Sequence, residues 1–185
     1  MDAPYWVRVW RKFKKHRLGL LSGSFLFLAY MAIPFAGFFS PYTPNERSAD
    51  YLYHPPQAIH FWHEGEYVGP FVYPTEAVAD LENYRWTYIT DETRPMPLQF
   101  FCKRTEYNLF GVIPTERHLF CAPEGATIFI FGSDRLGRDV FSRISYGAQL
   151  SLTVGLIGIT VSFILGIGFG AIAGYFGGWV DWVVT

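Results

Sequence analysis

The sequence has little net charge, only two cysteines and no recognisable catalytic motif. Its formal net charge is −1 over 185 residues, so no excess of positive charge favours nucleic-acid binding. Charged residues make up 17% of the chain, below the usual quarter, whereas 50% of the residues are apolar. No Ser-His-Asp arrangement, phosphate-binding loop or pair of carboxylates can be singled out. A membrane-bound enzyme therefore has no catalytic constellation to support it.

Charged residues are absent from two long segments, residues 18–39 and 151–179. Residues 40–131, between them, hold twelve acidic and six basic residues. This partition is typical of a membrane protein with a sizeable insert outside the bilayer. We therefore predict a mainly α-helical membrane protein with two transmembrane helices.

Residues 18–39 form the first predicted transmembrane helix. A helix of that length spans about 33 Å, enough to cross a hydrocarbon core of about 30 Å. A secretory signal peptide is the alternative, but its apolar region covers only about 7–15 residues, so we favour a retained helix. The six bases of the tail, residues 1–17, predict a cytoplasmic N-terminus by the positive-inside rule. Tyr5, Trp6 and Trp10 lie among these bases, which is compatible with an amphipathic helix on the inner leaflet.

Residues 40–131 form the predicted extracytoplasmic insert. Ten prolines interrupt it, so long helices are not expected, and short aromatic and β-branched runs predict a β-rich or irregular subdomain. The aromatic side chains could form its core, or a surface that rests on the bilayer or on a partner, and we favour the core. The runs that read as strands are residues 67–73, 85–90, 98–101, 108–113 and 127–131.

Both cysteines, Cys102 and Cys121, fall in this insert. Outside the cytoplasm such a pair usually oxidises, so we expect a disulfide, with two buried free thiols as the alternative. Zinc is not favoured because the spacing is not Cys-x-x-Cys. His60 and His63 could suggest a metal site, but they would need a helix to converge, and prolines and aromatics flank them. We therefore predict no metal site.

Residues 148–176 form the second predicted transmembrane helix. Small residues recur at every fourth position along it, and such a ridge lets another helix approach closely. We therefore expect a helix that packs against other helices, followed by a cytoplasmic turn over residues 177–185. The ridge consists of Gly158, Ser162, Gly166, Gly170 and Gly174.

Residues 132–147, just before the second apolar segment, predict an amphipathic helix that lies along the membrane–water interface. Ser133 or Asp134 could serve as the N-cap. Opposite charges recur four residues apart, and Leu136, Val140 and Ile144 form an apolar stripe at the same spacing. The predicted ion pairs are Asp134–Arg138, Arg135–Asp139 and Asp139–Arg143.

The same junction resembles the C-type permease subunit of the dipeptide/oligopeptide/nickel family of ABC importers. That family has the pattern Gly-Thr-Asp-x-x-Gly-Arg-Asp-x-x-Ser-Arg, then Gly-x-x-x-Ser-Leu, then a Gly-Tyr-x-Gly-Gly turn. The resemblance covers the basic tail with the first helix and residues 131–181, and Ser133 is the one departure from the usual Thr. It does not extend to residues 40–130, where family members often have a shorter connection. The matching signature residues are Gly132, Ser133, Asp134, Gly137, Arg138, Asp139, Ser142 and Arg143.

The resemblance implies a multi-pass permease subunit of the bacterial inner membrane that is not itself an enzyme. Its implied partners are a homologous second permease subunit, an extracytoplasmic substrate-binding protein and two cytoplasmic ATPase subunits, which would carry ATP and Mg²⁺; this chain would hold no cofactor. The signature residues are expected to lock helix entry and subunit packing, without binding ligand. The ATPase-coupling loop of the family lies beyond Thr185, so we expect the chain to be a fragment. The alternative is a two-helix membrane protein whose disulfide-bonded outer domain binds a partner.

Overall fold

The computed structural model describes residues 4–80, 85–123, 126–179 and Trp182. The chain divides into two compact units, residues 1–147 and residues 148–185. The first unit begins with helices, continues through a β-rich region and ends in the first turns of a long helix. The helices are α1 (Tyr5–Lys15), α2 (Arg17–Ala32), a 3-10 turn (Ile33–Phe35), α3 (Ala36–Phe39) and α4 (Val140–Phe176).

Within the described residues, two helical segments have the length and composition to cross a membrane, as the sequence predicts. The first covers Arg17–Phe39, with a mean hydropathy of 1.8 over its most apolar window. It changes to a 3-10 turn at Ile33–Phe35, because Pro34 has no backbone N–H to donate to an α-helical hydrogen bond. The second is α4, whose 37 residues have a mean hydropathy of 2.2 in the same measure. At 1.5 Å per residue α4 is about 55 Å long, which exceeds the hydrocarbon thickness.

The region between these segments is β-rich, as predicted. It contains three antiparallel sheets, with strand orders β1–β2–β5, β3–β4 and β6–β7. The β1–β2 turn consists of Glu64 and Gly65, both with positive φ, which matches the right-handed twist of a hairpin. The strands are β1 (His60–His63), β2 (Glu66–Val72), β3 (Thr75–Asp80), β4 (Arg85–Thr90), β5 (Met96–Pro97), β6 (Gln99–Leu109) and β7 (Ile113–Cys121).

Two predicted strands are wrong. Residues 108–113 form the tip of the β6–β7 hairpin, because Leu109 pairs with Ile113 across a three-residue turn. Residues 127–131 are not a strand, although Ile128 and Phe129 are fully buried. The apolar composition of residues 127–131 therefore indicated that their side chains are buried, but it did not indicate a strand.

The core of the first unit joins the β-rich region to the chain that follows the first apolar segment. Tyr42 lies in this core with Val72, Ala122 and Ile128. Its ring stacks on Phe129 at 5.9 Å, and its hydroxyl accepts a hydrogen bond from the backbone N–H of Ile128 at 2.8 Å. Burial raises the pKa of Tyr42 to about 12. Aromatic side chains therefore form part of this core, as predicted, but many others are exposed. The exposed ones include Trp62, Tyr67, Trp86, Phe100, Phe101 and Phe110.

The β-rich excursion, residues 58–128, begins and ends at two residues that are hydrogen-bonded to each other, Gln57 and Phe129. The backbone N–H of Gln57 donates to the carbonyl of Phe129 at 2.9 Å. In return, the side-chain oxygen of Gln57 accepts from the N–H of Phe129 at 2.7 Å. Residues 58–128 therefore begin and end at this pair of residues, the neck, although their strands also contact residues 37–54.

The β6–β7 hairpin docks on the end of the first apolar segment through His118, whose side chain is fully buried. Nδ1 of His118 lies 2.6 Å from the carbonyl oxygen of Ser40 and 3.1 Å from that of Gly37. Nε2 lies 2.9 Å from the carbonyl oxygen of Thr105 in β6. Beside it, Gly37 packs directly on the ring of Tyr107, where a Cβ atom would collide. One imidazole thus connects both strands to the end of the helix.

Replacing His118 with Phe should destabilise the first unit while keeping the ring volume. The carbonyl groups would lose their donor, and a buried unpaired polar group costs about 1–3 kcal/mol. We expect a lower apparent melting temperature of the detergent-solubilised protein. His60→Phe, a substitution at an exposed histidine on β1, is the matched control and should leave it unchanged. Equal melting temperatures for both variants would contradict this role of His118.

The predicted disulfide is confirmed, because Cys102 and Cys121 are bonded with a sequence separation of 19. It joins the beginning of β6 to the end of β7. A loop of this length predicts a stabilisation of roughly 3 kcal/mol through the unfolded state.

The double variant Cys102→Ser/Cys121→Ser should therefore lower the free energy of unfolding by roughly 3 kcal/mol. Unfolding of the purified protein with and without reductant measures this effect. Reductant should lower the unfolding midpoint of the wild type and leave the midpoint of the double variant unchanged. A wild-type transition that reductant does not move would contradict the estimate.

Candidate functional site

The candidate site is the charged loop, residues 132–139, together with the first turn of α4. The prediction of a single helix over 132–147 is wrong for this part, because α4 begins only at Val140. The loop instead closes through an antiparallel bridge between Ser133 and Asp139. Inside it, the N–H of Asp134 donates to the carbonyl of Arg138 at 3.0 Å, and the N–H of Gly137 donates to the carbonyl of Asp134 at 3.0 Å.

The carboxylate of Asp134 organises this loop. Its Oδ1 accepts from the backbone N–H groups of Leu136 at 2.8 Å and Arg138 at 3.0 Å. Its Oδ2 accepts from Nε of Arg138 at 2.8 Å and from Nη2 of the same side chain at 2.7 Å. Nη1 of Arg143, on the first turn of α4, reaches the same oxygen at 2.7 Å. One carboxylate therefore fixes the turn and ties it to the helix.

These hydrogen bonds lower the pKa of Asp134. Burial alone would raise it, but the hydrogen bonds from the Arg138 side chain and from the backbone N–H groups of Arg138 and Leu136 outweigh burial, and the pKa falls to about 2. The carboxylate is consequently charged over the whole physiological range. Its contribution to stability is complete above the ordinary aspartate pKa of about 4 and is lost between that value and about 2.

Asp139 caps α4. Its Oδ2 accepts from the backbone N–H of Ser142 at 2.7 Å and from the Ser142 hydroxyl at 2.6 Å, which is the geometry of an N-cap aspartate. Burial raises the pKa of Asp139, against the opposing effect of these hydrogen bonds. The predicted N-cap at Ser133 or Asp134 is therefore wrong. Asp139 also does not form the predicted pairs with Arg135 and Arg143, because its carboxylate faces Ser142.

The charged loop clamps the chain that follows the first apolar segment. Ser133 donates its hydroxyl to the carbonyl of Tyr51 and accepts from the N–H of His54 at 2.9 Å. The N–H of Ser133 donates to the carbonyl of His54 at 3.0 Å, and the N–H of Tyr53 donates to the carbonyl of Asp134 at 3.1 Å. Segment 51–54 is thus held along the loop by main-chain and side-chain hydrogen bonds.

Two glycines make this close contact possible. Gly132 has φ +78° and lies against the carbonyl oxygen of His54, and Gly137 has φ +69° and lies against that of Ser48. A Cβ atom at either position would collide with those oxygens, and positive φ is costly for other residues. The N–H of Ser48 also donates to the carbonyl of Gly137 at 3.0 Å. The glycines of the signature therefore serve backbone-to-backbone packing.

The predicted signature residues come together in the structure, and their partners are residues that the sequence did not single out. The hydroxyl of Ser142, fully buried, accepts from the N–H of Tyr42 at 3.3 Å. The missed partners lie about ninety positions earlier in the chain, so no local spacing could have indicated them. They are Tyr42, Ser48, Tyr51 and His54.

The other predicted positions lie apart from this loop along the chain. Gly158, Ser162, Gly166, Gly170 and Gly174 all lie on α4 and are exposed, and a Cβ atom added at any of these four glycines would meet nothing within 4 Å outside the helix backbone. His60 and His63 lie on strand β1, beside the rings of Phe71 and Tyr73. Among the described residues no group of three or more His, Cys, Asp or Glu side chains could hold a metal ion.

Comparison with known proteins gives the first independent information on the family. A family model described as the N-terminal TM domain of oligopeptide transport permease C matches residues 4–56. The dipeptide transport system permease protein DppC of Alkalihalophilus pseudofirmus is 51% identical over 55 residues, which are 30% of this chain and 18% of that protein. The oligopeptide transport system permease protein OppC of Haemophilus influenzae is 34% identical over 105 residues, 57% of this chain and 31% of that protein.

The resemblance to C-type permeases of peptide ABC importers is confirmed. A third relative, the peptidoglycan transport system permease protein YejE of Agrobacterium fabrum, is 24% identical over an alignment of 206 positions, covering 97% of this chain and 50% of that protein. The chain thus spans half or less of the length of these three relatives. No solved structure matches it.

The family match has a structural counterpart in the neck. The matched residues, 4–56, end next to Gln57, and the signature that carries the resemblance begins next to Phe129, at residues 131–132. Gln57 and Phe129 form the two hydrogen bonds that close the excursion. The segments that carry the resemblance therefore meet next to this pair of residues, and residues 58–128 form the β-rich excursion between them.

The charge on Asp134 should make the first unit sensitive to acid. As pH falls from about 4 to about 2, protonation of this carboxylate removes its contribution to stability. The wild-type protein should therefore lose thermal stability in that range, and Asp134→Asn should start less stable and lose less. Asp50→Asn, at an exposed aspartate of the clamped segment, is the control and should follow the wild type. Parallel stability curves for wild type and Asp134→Asn would refute this assignment.

Proposed function

We propose that this chain is part of the transmembrane permease subunit of a peptide-type ABC importer. It would form the translocation path with a second permease subunit, receive substrate from an extracytoplasmic binding protein and be driven by two cytoplasmic ATPase subunits. ATP and Mg²⁺ would be held by those subunits, and this chain would supply no catalytic group. The observation that carries the proposal is the match of residues 4–56 to the N-terminal TM domain of oligopeptide transport permease C.

The proposed orientation of the chain in the membrane rests on the basic residues of α1 and on the disulfide. The basic residues of α1 favour a cytoplasmic N-terminus at the bacterial inner membrane, and α1 itself would lie along the inner leaflet. Residues 40–147 would then be extracytoplasmic. The disulfide between Cys102 and Cys121 supports this side, because the cytoplasm keeps thiols reduced whereas the periplasm favours disulfides.

The small-residue ridge of α4 is the proposed contact for another transmembrane helix. In lipid, helices associate largely through close packing of small residues, since the hydrophobic effect does not drive them together. The repeat of Gly158, Ser162, Gly166, Gly170 and Gly174 offers such a surface over more than four turns. The second permease subunit, or a further helix of the same subunit, is its expected partner.

Co-purification tests the proposal directly. The complete gene product is expressed with a tag beside the co-encoded second permease, ATPase and binding-protein genes, and solubilised in mild detergent. We expect the second permease and both ATPases to elute with it in fixed proportion. A protein that elutes without any of them, and binds another partner through its outer domain, would support the alternative of a two-helix partner-binding module.

Arg138→Ala should lower the yield of this complex. The Arg138 side chain supplies two of the bonds to the Asp134 carboxylate, so its loss loosens the turn that leads into α4. Arg135→Ala is the matched control, because Arg135 is an exposed arginine of the same loop. We expect reduced recovery of the ATPases with Arg138→Ala only. Normal recovery combined with weaker substrate binding would assign Arg138 to a ligand site instead.

A further inference from the structure

The tip of the β6–β7 hairpin is unusually apolar for the turn of an outer domain. Residues 107–115 contain no charged side chain, and Glu106 and Glu116 border them on the two strands. At the tip, Phe110 and Ile113 are each 51% exposed and Val112 is 77% exposed. An exposed apolar patch of this kind marks a surface that is covered by something in the assembled state.

The hairpin has a fixed position beside the first apolar segment. The rings of Phe110 and Phe35 meet edge to face, with their centroids 5.4 Å apart. Gly37 packs on Tyr107, and the rings of Phe38 and Phe101 are 6.2 Å apart. Of these helix residues, Phe35 lies farthest from the end of the segment at Phe39, and it is the one that touches the tip.

The depth of the tip follows from this contact. Phe35 lies four residues before the end of the segment, which corresponds to about 6 Å along a helix axis. Amphipathic surfaces bury apolar side chains to about 5–10 Å at the headgroup and acyl-chain boundary, and aromatic rings are enriched there. If Arg17–Phe39 crosses a bilayer, the tip therefore reaches the same leaflet in which that segment ends.

The β1–β2 hairpin provides a comparison among the turns that the structure describes. The β1–β2 turn consists of Glu64 and Gly65, and Glu64 is exposed. A turn exposed to water needs no apolar side chains, and this one has none. The two turns therefore differ in composition, although Trp62 and Tyr67, on the strands beside Glu64 and Gly65, are also exposed.

We propose that the β6–β7 tip, consisting of Phe110, Gly111, Val112 and Ile113, inserts into the lipid leaflet in which the first apolar segment ends. The occupant of this surface is the bilayer itself. His118 holds the hairpin against the helix end, and the Cys102–Cys121 disulfide joins its two strands, so the tip enters as a rigid wedge. The inference depends on the first segment crossing a membrane, and not on the peptide-importer activity.

Site-directed fluorescence tests the insertion. Val112→Cys and the control Glu64→Cys are each labelled with nitrobenzoxadiazole in the complete gene product. Cys102 and Cys121 are bonded to each other and do not react, and any further cysteine of the complete gene product is replaced by serine. The labelled proteins are reconstituted into vesicles of phosphatidylcholine and phosphatidylglycerol, with and without a phospholipid that carries a nitroxide quencher near its headgroup. Iodide serves as the aqueous quencher.

We expect the nitroxide lipid to reduce the emission at position 112 and iodide to leave it unchanged, with the reverse at position 64. Quenching of position 112 by iodide would place the tip in water and overturn the proposal. Protection from both quenchers would mean that a protein subunit covers the tip, which also overturns it. Equal lipid quenching at both positions would mean that the whole insert rests on the bilayer without a specific insertion point, which overturns the proposal as well. Co-purification of the importer subunits is scored separately, so either proposal can fail alone.

Discussion

The carboxylate of Asp134 is the interaction on which the first unit depends. It gathers donors from the turn that contains it, from Arg138 and from Arg143 on α4. Each bond is charge-assisted, and such bonds are roughly twice as strong as neutral ones. The same loop then presents Ser133 and two glycines to the segment that follows the first apolar helix. A single ionised group thereby joins the end of one apolar segment to the beginning of the next.

The sequence predicts the coarse architecture well because the underlying signals are strong and local. Charge-free length identifies both apolar helices, the cysteines identify the disulfide, and residues 85–90 match strand β4. The charged loop could not be predicted in the same way. A spacing of four residues between opposite charges is compatible with a helix, but it is equally compatible with this turn. Asp134 and Arg138 form an ion pair although no helix lies between them.

The signals that distinguish turn from helix were present in residues 132–139. Aspartate side chains compete for nearby backbone N–H groups, which favours turns and N-caps over helix interiors. Gly137 in the middle of a helix would cost about 1 kcal/mol relative to alanine, whereas it is needed here for its positive φ and its contact with Ser48. The long-range partners, Tyr42 and Ser48 among them, require the tertiary structure, because no sequence period connects residues so far apart.

The neck at Gln57 and Phe129 has an evolutionary consequence. Because the excursion begins and ends at one pair of hydrogen-bonded residues, a change of length at a distal turn such as Glu64–Gly65 leaves that pair in place, whereas β4 and β7 also contact the clamped chain through Tyr88 and His118. The entropy of closing a longer loop grows only slowly with length, by about 0.6 kcal/mol for each doubling. We therefore expect length to vary at the distal turns, while the strands that pack on residues 37–54 keep their positions. Diversity among relatives should accumulate at these turns, where a new surface costs the rest of the chain little.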